Sequence, residues 1–133
     1  MTSSRAALAS RSSRRRAARF LAAGLLALFT QAAAAHAFLD HASPRVGAVV
    51  HSAPSEVKLW FTEKLEPAFS TLRVVDGDGK QVDRKDKQMD PKDPSAMQVS
   101  LPPLPPGSYR VYWRALSADT HVTEGDFSFV VAP

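Results

Sequence analysis

The chain has 133 residues, of which 44% are hydrophobic and 23% charged, with no cysteine and a formal net charge of +4. Six of the 17 basic residues and none of the 13 acidic ones lie in the first 35 positions, so the remainder carries 11 basic against 13 acidic side chains. A basic pI that belongs to a leader leaves no nucleic-acid footprint. The lack of cysteine excludes disulfide staples and thiolate metal sites, and the length beyond residue 35 suffices for one small domain and not two.

The leader has the order of a secretory signal. Arg5, Arg11, Arg14, Arg15, Arg16 and Arg19 precede an apolar run from Phe20 to Phe29, and small residues follow, closing in an A-x-A pattern at Ala33 and Ala35. The run is shorter than the roughly 20 apolar residues of a bilayer span. No second such stretch follows, so an exported, soluble protein with no stable membrane insertion after cleavage is expected. Ser13-Arg14-Arg15 hints at twin-arginine export, but Ala17 and Ala18 stand where apolar bulk is usual, which favours the general route. Ala35-His36-Ala37 is a second A-x-A, and cleavage after Ala37 would leave Phe38 first. Cleavage after Ala35 is the expected event, because it exposes His36. The free amine and the imidazole of an N-terminal histidine close a chelate ring on one metal ion. Two adjacent nitrogen donors suit Cu(II), which favours tetragonal nitrogen and oxygen ligation.

Beyond His36 the apolar residues alternate with period two, and no helical period of useful length occurs. Val57, Leu59 and Phe61 alternate with Lys58, Trp60 and Thr62, and Glu63 closes that strand. Leu72–Val75 is the next, ending in the turn Asp76-Gly77-Asp78-Gly79. Val82 opens a short return strand. Residues 83–95 are charged, contain Pro91 and Pro94, and read as a loop. Met97, Val99 and Leu101 alternate again. Tyr109, Val111, Trp113 and Ala115 make the longest strand, and Phe127, Phe129 and Val131 the last. About seven short strands with regular turn signals predict an all-β Greek-key sandwich or small barrel, Ig-like or cupredoxin-like in outline. The run Leu104-Pro-Pro-Gly107-Ser-Tyr109 places a tyrosine as in the tyrosine corner of Ig-like sandwiches, where its hydroxyl bonds to nearby backbone.

Four histidines, His36, His41, His51 and His121, are the strong nitrogen donors. Asp119 and His121 stand two apart, which in extended backbone puts both on one side. There they bind one ion together, or Asp119 orients the imidazole. A polar loop with a surface histidine has the same residues. Glu63 and Glu66 read as solvated carboxylates. Asp76 and Asp78 read as turn residues, since the later acidic ligands of a calcium loop are missing. His51 sits in a loop ahead of Pro54, and His41 is an exposed residue or an auxiliary donor. Met89 and Met97 are the only methionines beyond the leader; eight apart, they give no cluster of soft donors for Cu(I), and Met97 is expected to face the core. No serine stands in a nucleophile elbow and no glycine spacing forms a phosphate loop, so no catalytic residue is assigned.

Taken in order, these segments resemble the CopC family of bacterial copper-resistance proteins. The resemblance runs through His36-Ala-Phe-Leu, Ser43-Pro44-Arg-Val-Gly47, Val57-Lys-Leu-Trp-Phe61-Thr-Glu63, Leu104-Pro-Pro-Gly-Ser-Tyr-Arg-Val-Tyr-Trp113-Arg, Ser117-Ala-Asp-Thr-His121 and Gly125-Asp-Phe127-Ser-Phe129. It implies a signal peptide over residues 1–35 and one copper-binding β-domain over residues 36–133. It implies a periplasmic Cu(II) carrier, buffer or sequestering protein that is not an enzyme. His36 binds through amine and imidazole, Asp119 and His121 complete the site, and Glu63 is a nearby or weak ligand. The methionine-rich Cu(I) loop of some members has no counterpart here. The implied partner, besides the copper ion, is an inner-membrane copper protein of the CopD type. The resulting set of three nitrogens and one oxygen suits square-planar Cu(II) better than tetrahedral Zn(II). Two other readings compete: a histidine-brace copper oxygenase, whose open coordination position Asp119 would fill, and a metal-free Ig-like adhesion or assembly module.

Overall fold

Alternation decides which face of each strand turns inward. In Glu56–Phe61, Val57, Leu59 and Phe61 are buried while Lys58 and Trp60 lie on the other face. The computed structural model describes residues 36–133, and the expected export signal over residues 1–35 lies outside the described residues. The strands are β1 (Leu39–Ser43), β2 (Val49–Val50), β3 (Glu56–Phe61), β4 (Thr71–Val75), β5 (Gln88–Asp90), β6 (Asp93–Ser100), β7 (Gly107–Leu116) and β8 (Val122–Val131). They form two four-stranded sheets, ordered β1-β3-β6-β5 and β2-β8-β7-β4. The chain passes repeatedly from one sheet to the other, which makes a Greek-key β-sandwich. Every pairing is antiparallel except β2 with β8. Val57, Leu59, Met97 and Val99 from the first sheet meet Val74, Val111 and Phe129 from the second in the core between them.

The alternation predicts about seven strands and the structure has eight. β1 and β2 escape the pattern for physical reasons. A bulge between Leu39 and His41 breaks the period of β1, and β2 is two residues long. Residues 83–95 are not all loop: β5 and the start of β6 lie within them. β5 is an edge strand whose one core contact is Met89, so its sequence is nearly all polar. Pro94 is tolerated because pairing of β6 with β3 begins only at Ala96. Val82 opens no strand; its N–H donates to Val74 at 2.9 Å, beside an isolated bridge from Gln81 to Val75. The tyrosine corner is present, with the buried Tyr109 donating its hydroxyl to the Pro105 carbonyl at 2.5 Å.

β8 starts five residues ahead of its alternating run, at Val122, which pairs with Leu116, and within that added stretch Gly125 lies under Trp113. A Cβ built at Gly125 would stand 2.5 Å from Cζ2 and 2.8 Å from Cε2 of that indole. Trp113 also packs edge-on against Phe61, with ring centroids 5.1 Å apart, so it has little room to retreat. Gly125→Ala should therefore lower the free energy of unfolding by about 1–3 kcal/mol, the usual cost of overpacking. Urea unfolding followed by tryptophan fluorescence measures this. An unchanged midpoint would mean that the indole does not rest on Gly125.

Candidate metal centre

One end of the sandwich gathers the start of β1, the end of β3 and the β7–β8 turn. Two backbone links tie the segment after β3 to the end of β7 there: Glu66 donates to Leu116 at 2.8 Å and Ala118 to Lys64 at 3.0 Å, around a bridge between Leu65 and Ser117. The segment His36–Phe38 is drawn into the same end. Ala37 is fully buried. The Thr62 hydroxyl donates to the His36 carbonyl at 3.1 Å and accepts the Phe38 N–H at 3.0 Å. The Thr62 N–H donates to the Phe38 carbonyl at 2.9 Å, and the Thr123 hydroxyl donates to the Ala37 carbonyl at 2.5 Å.

The Ser117–His121 segment is a tight turn rather than the extended stretch that the two-residue spacing of Asp119 and His121 assumes. Ser117 N–H donates to the His121 carbonyl and Thr120 N–H to the Ser117 carbonyl, each at 2.9 Å. Thr120 has φ +75, an unusual conformation for a β-branched residue and a mark of local strain. The turn folds the Asp119 carboxylate back on itself. Its Oδ1 accepts from the buried Ser117 hydroxyl and from the His121 N–H, the latter at 3.3 Å. The Ser117 hydrogen bond, opposed by burial and helped by the His121 side chain and N–H, lowers the Asp119 pKa from 3.8 to about 2. Asp119 is thus a permanent anion at neutral pH.

The imidazoles of His36 and His121 meet here, with centroids 4.4 Å apart and planes tilted by 47°. The Phe38 ring stacks on His36 at 5.8 Å. Nδ1 of His121 is shielded from water and has no hydrogen-bond partner. Asp119 Oδ1 approaches it to 3.2 Å, but without hydrogen-bond geometry. A buried nitrogen without a partner beside a fixed carboxylate and a second imidazole fits a cation. Among the described residues, however, no three His, Asp or Glu side chains are already arranged around one point. The site is two facing imidazoles and an adjacent anion, short of a further donor such as a terminal amine.

The other expected residues lie elsewhere. Glu63 is exposed and shares with Asp119 a shallow cavity of about 200 Å³, also lined by Lys64, Ser117 and Ala118. His41 lies on the outer face of its sheet, bonded through Nδ1 to Asp40 at 2.7 Å and stacked on Trp60 at 4.4 Å. His51 is exposed just past β2, at the opposite end from the β7–β8 turn. Met97 is fully buried and Met89 pairs across from it against the core, so neither forms a surface sulfur site. Asp76 accepts from Asp78 and Lys80 N–H, both at 3.0 Å, as a turn residue. Sequence reasoning missed Ser117, Thr62 and Thr123. Only the serine carried a signal, as the first residue of the Ser-x-Asp-x-His run.

The family model for the CopC domain matches residues 39–132. The chain belongs to the CopC family. It is 34% identical over 119 residues to copper resistance protein C of Escherichia coli, covering 84% of this chain and 93% of that one. The crystal structure of CopC from Methylosinus trichosporium OB3b shares the fold with a TM-score of 0.67 and 37% identity, over 74% of this chain and 95% of that one. Copper transport protein CutJ of Bacillus subtilis (strain 168) is 33% identical over 98 residues, which are 73% of this chain but 18% of CutJ. In that relative a CopC-like stretch is a small part of a much longer protein.

The Asp119 environment has a direct consequence for acid stability. A carboxylate whose folded pKa lies below its unfolded value stabilises the fold fully above the unfolded value, and that contribution fades as pH falls through the folded pKa. For Asp119 the window runs from 3.8 down to about 2. A carboxyl NMR titration of the metal-free protein should place the midpoint near 2, and Ser117→Ala should raise it towards 3.8. A wild-type midpoint already at 3.8 would contradict the hydrogen-bonded turn.

Proposed function

We propose that this CopC-family chain is a periplasmic Cu(II)-binding protein that carries or buffers copper as cargo and performs no catalysis. The His36 amine and imidazole, the His121 imidazole and the Asp119 carboxylate hold the ion, with Glu63 as a nearby, weak or outer contributor. The observation that carries this reading is the meeting of two imidazoles from distant parts of the sequence at 4.4 Å, beside an anionic Asp119. The copper named in the relatives supports it, as does the donor set, whose nitrogen and oxygen character suits Cu(II). Among the described residues both methionines pack against the core, which supports Cu(II) over Cu(I) as the cargo.

Cleavage of the signal after Ala35 supplies the amine. Burial of Ala37 supports that choice, because cleavage after Ala37 would discard a packed residue along with His36. Among the described residues no helix is long and apolar enough to cross a membrane. The recipient we infer is an inner-membrane copper protein of the CopD type. Acid should release the cargo, since protons compete for both imidazoles and the amine.

A Cu(II) competition titration at fixed pH tests the ligand set. His121→Ala should cost more than the ~10–100-fold that loss of a residue supporting a ligand costs. His41→Ala and His51→Ala should leave affinity unchanged. Equal affinity of His121→Ala and wild type would remove His121 from the site.

A further inference from the structure

We propose that Thr62 and Thr123 are positioning residues: a hydroxyl clamp, one arm from each sheet, that fixes the register of His36–Phe38 and thereby presents the His36 amine and imidazole to His121. This rests on the copper reading above.

A chain terminus frays unless it is tied down, and a chelate built on a terminal amine needs that terminus held. Here the ties begin on the residue that chelates. Thr62 follows the last residue of β3, and its hydroxyl uses both of its capacities, donating to the His36 carbonyl and accepting from Phe38 N–H. Its own N–H takes the Phe38 carbonyl. Thr123 lies in β8 of the opposite sheet and takes the Ala37 carbonyl. The segment is thus gripped from both sides across the mouth of the sandwich, with the Ala37 methyl group buried beneath it. Every polar backbone atom from the His36 carbonyl to the Phe38 carbonyl, apart from the Ala37 N–H, has a partner on these two threonines. Only the torsions of residue 36 itself remain to place its amine. Thr123 and His121 are two residues apart in sequence, so one arm of the clamp is carried by the same stretch that supplies the opposing imidazole. Removing a hydroxyl leaves the β-strands and their core intact, but frees the terminus and lowers the effective concentration of its two donors at His121.

The test uses the exported, processed protein, with Thr62→Val and Thr123→Val to delete each hydroxyl and Thr62→Ser and Thr123→Ser to keep it. Cu(II) affinity by competition and the EPR spectrum of the bound ion are the readouts, with His121→Ala measured alongside. Each valine variant should lose about 10-fold in affinity and shift the EPR parameters, and each serine variant should restore both. A role confined to stability would leave the EPR spectrum unmoved and the serine rescue absent. Should a valine variant not fold, the alanine variant at that position takes its place in the comparison with serine. If His121→Ala abolishes binding while the hydroxyl deletions leave affinity and spectrum as in wild type, the clamp is wrong and the copper reading stands. If His121→Ala binds as wild type does, the copper reading falls and the clamp with it.

Discussion

The backbone lacing between residues 64–66 and 116–118 holds the open end of the sandwich in one geometry. Those hydrogen bonds tie the segment that leaves β3 of one sheet to the end of β7 and the β7–β8 turn of the other. Together with the shared core and the Thr123–Ala37 hydrogen bond, they keep the β7–β8 turn and the segment ahead of β1 on one frame. With them, His121 and His36 face each other across a fixed gap. The core behind supports the same end, since Trp113 lies on Gly125 and against Phe61. Packing and hydrogen bonding therefore converge on the place where the chemistry is proposed to occur.

Electrostatics complete the arrangement. Asp119 lies in a turn whose first residue, Ser117, is buried and aims its hydroxyl at the carboxylate. That bond keeps the carboxylate charged far into acid, while the left-handed Thr120 brings it round towards the imidazole. The His121 Nδ1 that results is shielded and without a partner. A group of this kind is costly in an ordinary surface turn, and its persistence next to a fixed anion is what a cation site needs. Strain and an orphaned donor in the same five residues distinguish this turn from the Asp76–Gly79 turn, where Asp76 satisfies its own loop.

How much of this was legible in the sequence varied with the physics of each element. β3, β4, β7 and the second half of β8 are half-buried strands with regular alternation, and they read directly. The tyrosine corner read from one short run because proline, glycine and tyrosine each have a specific task there. β5 did not, because an edge strand facing water has the composition of a loop. β1 did not, because its bulge shifts the period. The metal residues were suggested by the two-residue spacing of Asp119 and His121 and by the histidine after the signal. In extended backbone that spacing puts both side chains on one side, whereas here a tight turn brings the pair together. The threonines had no signal at all, since a hydroxyl bonded to backbone looks like any surface threonine until the strands are in register.

The account turns on a donor that only processing creates. Cu(II) competition titrations of the protein beginning at His36, and of the same protein carrying one additional N-terminal residue, test it most directly. The extra residue converts the amine into an amide and moves the new terminus away from the His36 ring, while leaving every contact of His36–Phe38 with Thr62 and Thr123 available. The account predicts a steep loss of Cu(II) affinity in the extended form. Equal affinity of the two forms would show that the N-terminal amine is not a ligand and would contradict the proposed site.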